Sequence, residues 1–411
     1  MREAITAPSN NATCAIARTL FTRLTLVALM VTISGIQLTF AQNRSVADAL
    51  SALLLDQTSP YPIADKDRQA AAATRDTLAQ LLLVELSTQP TTASTGGFAY
   101  RFNPSLGTLE RASANFGPFY SERSLRAGKG QASVGLALRY ADFTSVQGAS
   151  LDDGNFPANA SRLTGAAQPY QVDAMSVRLQ TRTATMFGTY GITDNFDIGA
   201  TVPIVSIDFR GTRVNQQQGL SVLQSSISQH ATGLGDMALN ARYSVFEEDG
   251  MGLAAGVDLR LPTGKSEDLL GAGHTAARFL AIGSLEGSHV ATHVNLGYMV
   301  GGASREFNYG AALTVAPASR MTVVGEFIGR RVSDLHTLDP VYEPHPTVPG
   351  VETMRWLPEG NSVNQALLVT GAKWNLTRSY LLNASLLIRL TDAGLTARVV
   401  PSITLDYTFQ R

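Results

Sequence analysis

The chain has almost no cysteine, little charge and few long apolar runs, and each scarcity excludes something. Its single cysteine, Cys14, stands near the start of the 411-residue sequence. A chain processed beyond that point carries no thiol, no disulfide and no cysteine metal site. Charged residues make up 16%, against roughly 25% in ordinary soluble chains. A formal net charge of −1 leaves no electrostatic case for nucleic acid. The mean hydropathy is only +0.03. A helical-bundle membrane protein needs about 20 consecutive apolar residues per span, and no stretch supplies them.

The one long apolar run is "LTLVALMVTISGI", Leu24 to Ile36, preceded by Arg18 and Arg23. Thr39 and Ala41 follow as small residues at −3 and −1, so residues 1–41 read as a secretory signal cleaved after Ala41. The alternative is a membrane anchor, for which the run is short. Cys14 precedes the run and is not placed as a lipoprotein cysteine.

Residues 42–97 read as a helical segment and linker, either periplasmic or a plug. Ser45 with Asp48 three residues on makes a loose capping box. "ADKDRQAAAATRDTLAQLLLVEL" is rich in alanine and leucine, with its acidic residues early, and "STQPTTASTGG" is the linker. The leucine stripe needs a surface to bury against, which suggests that the helices enter or cover the mouth bearing the short turns.

After Gly97 the period changes from helical to two. "FAYRF" and "TLERA" form a small hairpin around "NPSLG". Twelve long alternating strands follow, at 131–146, 172–190, 196–213, 234–246, 251–262, 275–286, 289–300, 306–317, 321–333, 363–375, 380–391 and 396–409. In the clearest, Leu253, Ala255, Val257, Leu259 and Leu261 share one face, against Asp258 and Arg260 on the other. The connections alternate too. "GITDN", "EEDG", "EGS", "PAS" and "LTRS" are tight, while 147–171, 214–233 and 334–362 are long loops facing outward.

These features predict an all-β fold: a transmembrane antiparallel barrel of about twelve strands over 98–411, in the outer membrane of a Gram-negative cell. In lipid every backbone polar group must be paired, which a sheet achieves by closing. Aromatics such as Tyr140, Phe143, Phe187, Tyr190, Tyr243, Trp374 and Phe409 are placed to form interfacial girdles. The terminal "ITLDYTFQR" carries the alternating last strand that barrel-assembly machinery reads, with Phe409 two residues short of the end. Polar residues amid the strands are then lumenal: Arg139, Arg178, Arg182, Asp197, Asp236, Arg242, Asp258, Arg260, Arg278, His293, Glu326, Arg330, Arg389, Arg398 and Asp406. They read either as a paired network that stiffens the interior or as a selectivity surface.

Catalytic and metal signals are weak. His289 and His293 share a strand face but lie about 13 Å apart at four residues' spacing, too far for one metal. "GKSEDLLGAGH" lacks the ordered glycines and Lys-Ser/Thr of a phosphate loop. No histidine carries the His-x-Ser pair of the outer-membrane phospholipase barrel. No enzymatic activity, metal or cofactor is expected. The expected partners are outer-membrane lipid, a small-molecule solute and the assembly machinery, without nucleic acid, and the protein is expected to be a monomer.

"YGITDNFDIGATVPIV", "GLGDMALNARYSVF", "GVDLRLPTGKSEDLLGAGH" and "FGPFYSERSLRAGKGQASVGLALRY" resemble the outer-membrane barrels named for the meta-pathway of phenol degradation. The resemblance covers about 98–411. It implies a porin-like transporter for passive uptake of small hydrophobic or aromatic molecules, with no motif residues to carry over as a binding site. The alternative is a non-conducting barrel whose helices bind a periplasmic partner.

Overall fold

A computed structural model of the chain describes residues 44–55, 72, 75–76, 78–82, 84, 97 and 99–409, with 104–107, 303, 334, 336, 346, 361 and 378 left out. The signal segment with Cys14, the start of the second helix, most of the linker and the last two residues lie outside the described residues.

Helix α1 (Val46–Leu55) begins at a reciprocal cap. Asp48 N donates to Ser45 Oγ (3.0 Å) and Ser45 N donates to Asp48 Oδ2 (3.2 Å), satisfying two amides that a helix start leaves free. Hydrogen bonds from the Ser45 hydroxyl and then its amide hold the Asp48 carboxyl below its ordinary range. The backbone at 78–82 is also helical.

The strands follow in chain order. β1 (Tyr100–Asn103) and β2 (Thr108–Arg111) make the small hairpin. Then come β3 (Ala132–Phe143), β4 (Ser145–Val146), β5 (Ala149–Ser150), β6 (Phe156–Leu163), β7 (Gln171–Gly191), β8 (Phe196–Gln217) and β9 (Leu220–Leu234). β10 (Met237–Glu248), β11 (Met251–Leu261), β12 (Ala276–Glu286), β13 (Val290–Gly301), β14 (Arg305–Ala318) and β15 (Met321–Ser333) continue the sequence. The remainder are β16 (Thr337–Pro344), β17 (Val351–Glu359), β18 (Ser362–Asn375), β19 (Tyr380–Arg389), β20 (Leu395–Thr396) and β21 (Val399–Phe409).

Twelve of them close a ring in the order β7-β3-β21-β19-β18-β15-β14-β13-β12-β11-β10-β8, with β7 returning to β8 from Gln171↔Gln217 to Gly191↔Asp197. The fold is therefore a closed twelve-strand antiparallel β-barrel, and its strands are those that the period of two picks out. First and last strands meet from Ala132↔Phe409 to Arg139↔Ser402. Four further strands extend the sheet past the ring at the end carrying the long connections: β9 pairs with β8, β6 with β7, and β17 and β16 follow β6. The segments expected as loops at 147–171, 214–233 and 334–362 thus carry strand. Hydrogen bonding continues past the barrel, so these backbones are paired with sheet rather than with water.

The two faces differ as a bilayer demands. Leu253, Leu285, Val294 and Ile403 point outward and are more than half exposed, which is a lipid face rather than a soluble one. Outward aromatics flank this band. Tyr190, Tyr243, Phe246, Trp374 and Phe409 stand at the short-turn end, with Tyr140, Tyr298, Phe307 and Tyr309 at the other. Two expected girdle residues are absent from it. Phe143 is buried on the inner face, and the Phe187 ring lies over the bare backbone of Gly135. Among the described residues no helix is long and apolar enough to cross a membrane; the strands do the crossing.

Candidate functional site

Between β2 and β3, residues 112–131 form neither helix nor strand. This belt runs inside the barrel. A buried backbone without a ladder must find other partners, and here inward side chains supply them. Phe116 N donates to Thr322 Oγ1 (3.2 Å) on β15. The amides of Phe119, Tyr120 and Ser121 converge on the Glu326 carboxylate, Ser121 N reaching Oε2 at 2.9 Å and Tyr120 N at 3.2 Å. On the neighbouring β18, Lys373 Nζ donates to the Pro118 carbonyl (2.6 Å) and the Phe116 carbonyl (3.4 Å). Asn295 on β13 clamps Glu122 from both sides, accepting from its N–H at 2.5 Å and donating to its carbonyl at 2.9 Å. Ser124 N donates to Ser284 Oγ (2.9 Å) on β12, and Ala127 N to Asp197 Oδ2 (3.1 Å) on β8. The belt therefore crosses the lumen from β18 and β15 to β8.

Charges reinforce the crossing. Arg242 on β10 reaches Glu122 Oε1 (3.0 Å) and Asp258 Oδ1 (2.6 Å), while Arg278 pairs with the other Asp258 oxygen. Arg126 lies 3.8 Å from Asp197.

The opposite end of the lumen is closed by apolar packing. The sequence places the helices at the short-turn mouth; α1 instead packs on the inner face of the β8–β9 hairpin, at the long-connection end. Arg213 Nη1 donates to the Leu54 carbonyl (2.7 Å) and Gln229 Nε2 to the Arg44 carbonyl (2.6 Å). Leu50, Leu53, Leu78, Leu81 and Leu82 join Phe143, Met175, Leu179, Ile207, Phe209 and Trp356 in one buried cluster, each side chain contributing roughly 1.5–3 kcal/mol. Phe156 stacks on Trp356 at 5.1 Å. Leu53 seats against Gly211, where any Cβ would overlap Leu53 Cδ2. A methyl there needs only a leucine rotation, but a tryptophan has no room. The Gly211→Trp protein is expected to keep its barrel and lose the docked helix. Limited proteolysis then cuts within 44–55 faster than in the native protein; equal cutting rates would show that α1 is not seated on this glycine.

The structure sorts the sequence's candidate residues. Arg139, Arg242, Asp258, Arg260, Arg278, His293, Glu326, Arg330 and Arg389 lie on the inward parity of their strands, as do Asp197 and Asp406. Arg139 stacks over Tyr120 of the belt (5.4 Å) and Arg330 Nε donates to Gln365 Oε1 (2.5 Å). Arg389 donates to the Ala393 and Leu395 carbonyls, fastening a connection. Asp406 accepts from Asn383 Nδ2 (2.8 Å).

Four expectations are corrected. Arg178 and Arg182 point outward, because Val177, Leu179 and Thr181 are the buried residues of β7. Asp236 accepts from Gly264 N (3.0 Å) and Ala272 N (2.7 Å), so its carboxylate pins the 262–275 connection instead of lining open space. Arg398 is exposed in the connection before β21.

His289 and His293 do not act together: His289 is exposed at the turn beside Ser288 (3.1 Å), and His293 is fully buried. The partner of His293 leaves no sign in the sequence. Ser284 is its cross-strand neighbour, with Oγ 2.9 Å from Nδ1. Only register could reveal the pair, since the two residues lie on different strands. Its hydroxyl also accepts from Ser124 N, which makes it a belt anchor. "GKSED" forms a short 3₁₀ turn at Ser266–Asp268. Among the described residues no group of His, Cys, Asp or Glu could hold a metal.

Comparison with solved structures finds barrels of the outer membrane at low identity. An outer membrane channel from Pseudomonas putida F1 is 12% identical, with 70% of this chain and 98% of that one covered at a TM-score of 0.44. The NanC porin is 7% identical, with 67% and 100% covered at 0.34. OmpF of Salmonella typhi, in complex with daunomycin, is 9% identical, with 69% and 98% covered at 0.27. No curated protein matches the chain. The family model described as "Putative MetA-pathway of phenol degradation" matches residues 158–335, from β6 to the end of β15. That stretch contains three of the four motifs quoted above and excludes the belt. Over residues 158–335, the chain matches the phenol meta-pathway family that its turn-and-strand motifs resemble.

Proposed function

We propose that the protein is an outer-membrane channel for passive uptake of small hydrophobic or aromatic molecules, held in a closed state by its own N-terminal segments. The observation that carries this reading is the combination of a closed barrel, apolar outside and polar inside, with a lumen that among the described residues is filled by chain held through hydrogen bonds, ion pairs and apolar packing. The matched family and the apolar inner wall around Phe143, Leu179, Phe209 and Trp356 support an apolar solute entering from the end that bears the long connections. Release of α1 and movement of the belt then open the path past the buried charges.

The second reading is a barrel that conducts nothing and presents a partner-binding surface. The pairing of Arg242 with both Glu122 and Asp258 favours it. Permeation decides between them. A strain lacking the gene is expected to grow poorly at low concentrations of an aromatic carbon source and to recover when the gene is restored. Identical aromatic permeation in both strains, with sugars or ions affected, would replace hydrophobic uptake by a polar-solute porin. No difference for any solute would leave the non-conducting barrel.

A further inference from the structure

The outward face of β7 and β8 changes character sharply toward the long-connection end. Along β7 the outward row runs Tyr190, Met186, Ala184 and then Arg182 and Arg178. Met186 is 54% exposed and belongs to the lipid-facing band, whereas Arg182 begins the polar surface beyond it. Tyr140 stands beside Arg182 in register, at the level where interfacial aromatics gather. Arg178 lies directly across from Arg210 of β8, and both are exposed. Like charges set opposite on one sheet face repel, and neither guanidinium has an ion pair or hydrogen bond among the described residues. Two carboxylates share the surface. Asp208 lies 3.9 Å from Arg182 and bonds His230 Nδ1 (2.9 Å) through its other oxygen. Asp142 accepts from Gln180 Nε2 (3.2 Å). Neither forms an ion pair with Arg178 or Arg210.

We propose that Arg178 and Arg210 form a binding site for the phosphate of an outer-leaflet phosphorylated glycolipid of the lipid A type. Cross-strand side chains start about 4.5–5.5 Å apart, so two guanidiniums can share one phosphate, whose oxygens match their planar donors. The phosphate removes the repulsion that the bare pair carries. Its acyl chains then run along the apolar band below, past Met186 and Ile204. The choice of the outer leaflet rests on the outer-membrane reading, with the long connections facing outward.

The test is native mass spectrometry of the full-length protein in detergent, titrated with bisphosphorylated lipid A, its dephosphorylated form and phosphatidylglycerol. The native protein should bind the bisphosphorylated form about tenfold or more tightly than the dephosphorylated one, as expected for charge-assisted hydrogen bonds. An Arg178→Gln/Arg210→Gln double variant should lose that preference. An Arg320→Gln variant at the short-turn end should keep it. The proposal is overturned if the double variant binds as the native protein does, or if phosphatidylglycerol binds as tightly as lipid A. The native titration needs no variant, so equal binding of the phosphorylated and dephosphorylated forms overturns it as well. Binding without any solute conduction leaves this site standing and removes the channel reading alone.

Discussion

In the Gly211→Trp background, where α1 no longer covers the other end, the Glu326→Ala barrel reconstituted in a planar bilayer is expected to conduct several-fold more than the same protein with Glu326 and to fluctuate less between levels. One carboxylate accepts the amides of Phe119, Tyr120 and Ser121. Hydrogen bonds to a charged group are worth roughly 1.5–3 kcal/mol each, and every 1.4 kcal/mol is about a tenfold change in an equilibrium. Alanine removes all of these acceptors at once. It also leaves three amides in the lumen that gain by meeting water, so the middle of the belt prefers to lift away. Glutamine keeps one acceptor oxygen and loses the charge, and the Glu326→Gln variant should fall between. Current traces of that double variant that match those of Gly211→Trp alone, from protein that still migrates as a folded barrel, would show that the belt does not limit conduction.

Arg242→Ala is expected to cause the largest loss of stability. The guanidinium sits between Glu122 of the belt and Asp258 of the wall, and both its side chain and theirs are almost fully buried. Removing one partner of a buried ion pair costs about 3–5 kcal/mol, because the stranded charge has no water to turn to. Asp258 retains Arg278, whereas the Glu122 carboxylate loses its ion pair with Arg242, so the penalty falls mainly on the belt. Urea unfolding in detergent should show the drop as a lower midpoint. Adding Glu122→Gln to the alanine variant should recover part of it, since the buried carboxylate that Arg242 balanced is then gone. A double variant no more stable than Arg242→Ala alone would place the loss elsewhere.

The strands were legible because lipid imposes opposite chemistries on the two faces, and a period of two is the only pattern that satisfies both. Beyond the membrane band that logic inverts. On β7 the inner residues Val177 and Leu179 are apolar because α1 and the second helical stretch pack there, and the outer Arg178 and Arg182 meet water or headgroups. A rule assigning charge to the lumen therefore fails where the lumen is greasy, and those two arginines are its casualties. The belt was illegible for a different reason. A chain that bonds to side chains rather than to a neighbouring strand has no period, and its partners lie as many as 257 residues away, as Lys373 does from Phe116. Its one local sign is a dense cluster of buried polar residues, Ser121 to Ser124 and Arg126, between a hairpin and the first long strand.

The belt passes into β3 with only Gln131 between its last turn and the first residue of the barrel. β3 is also the strand that meets β21 to join the first and last strands of the ring. A pull on the belt toward the short-turn end is therefore a pull on the seam. During assembly the same continuity works in reverse: the belt emerges before any wall strand, and the ring must be drawn shut around a tether that is already part of its first stave. A barrel built this way acquires its filling as it closes, instead of having to admit it afterwards.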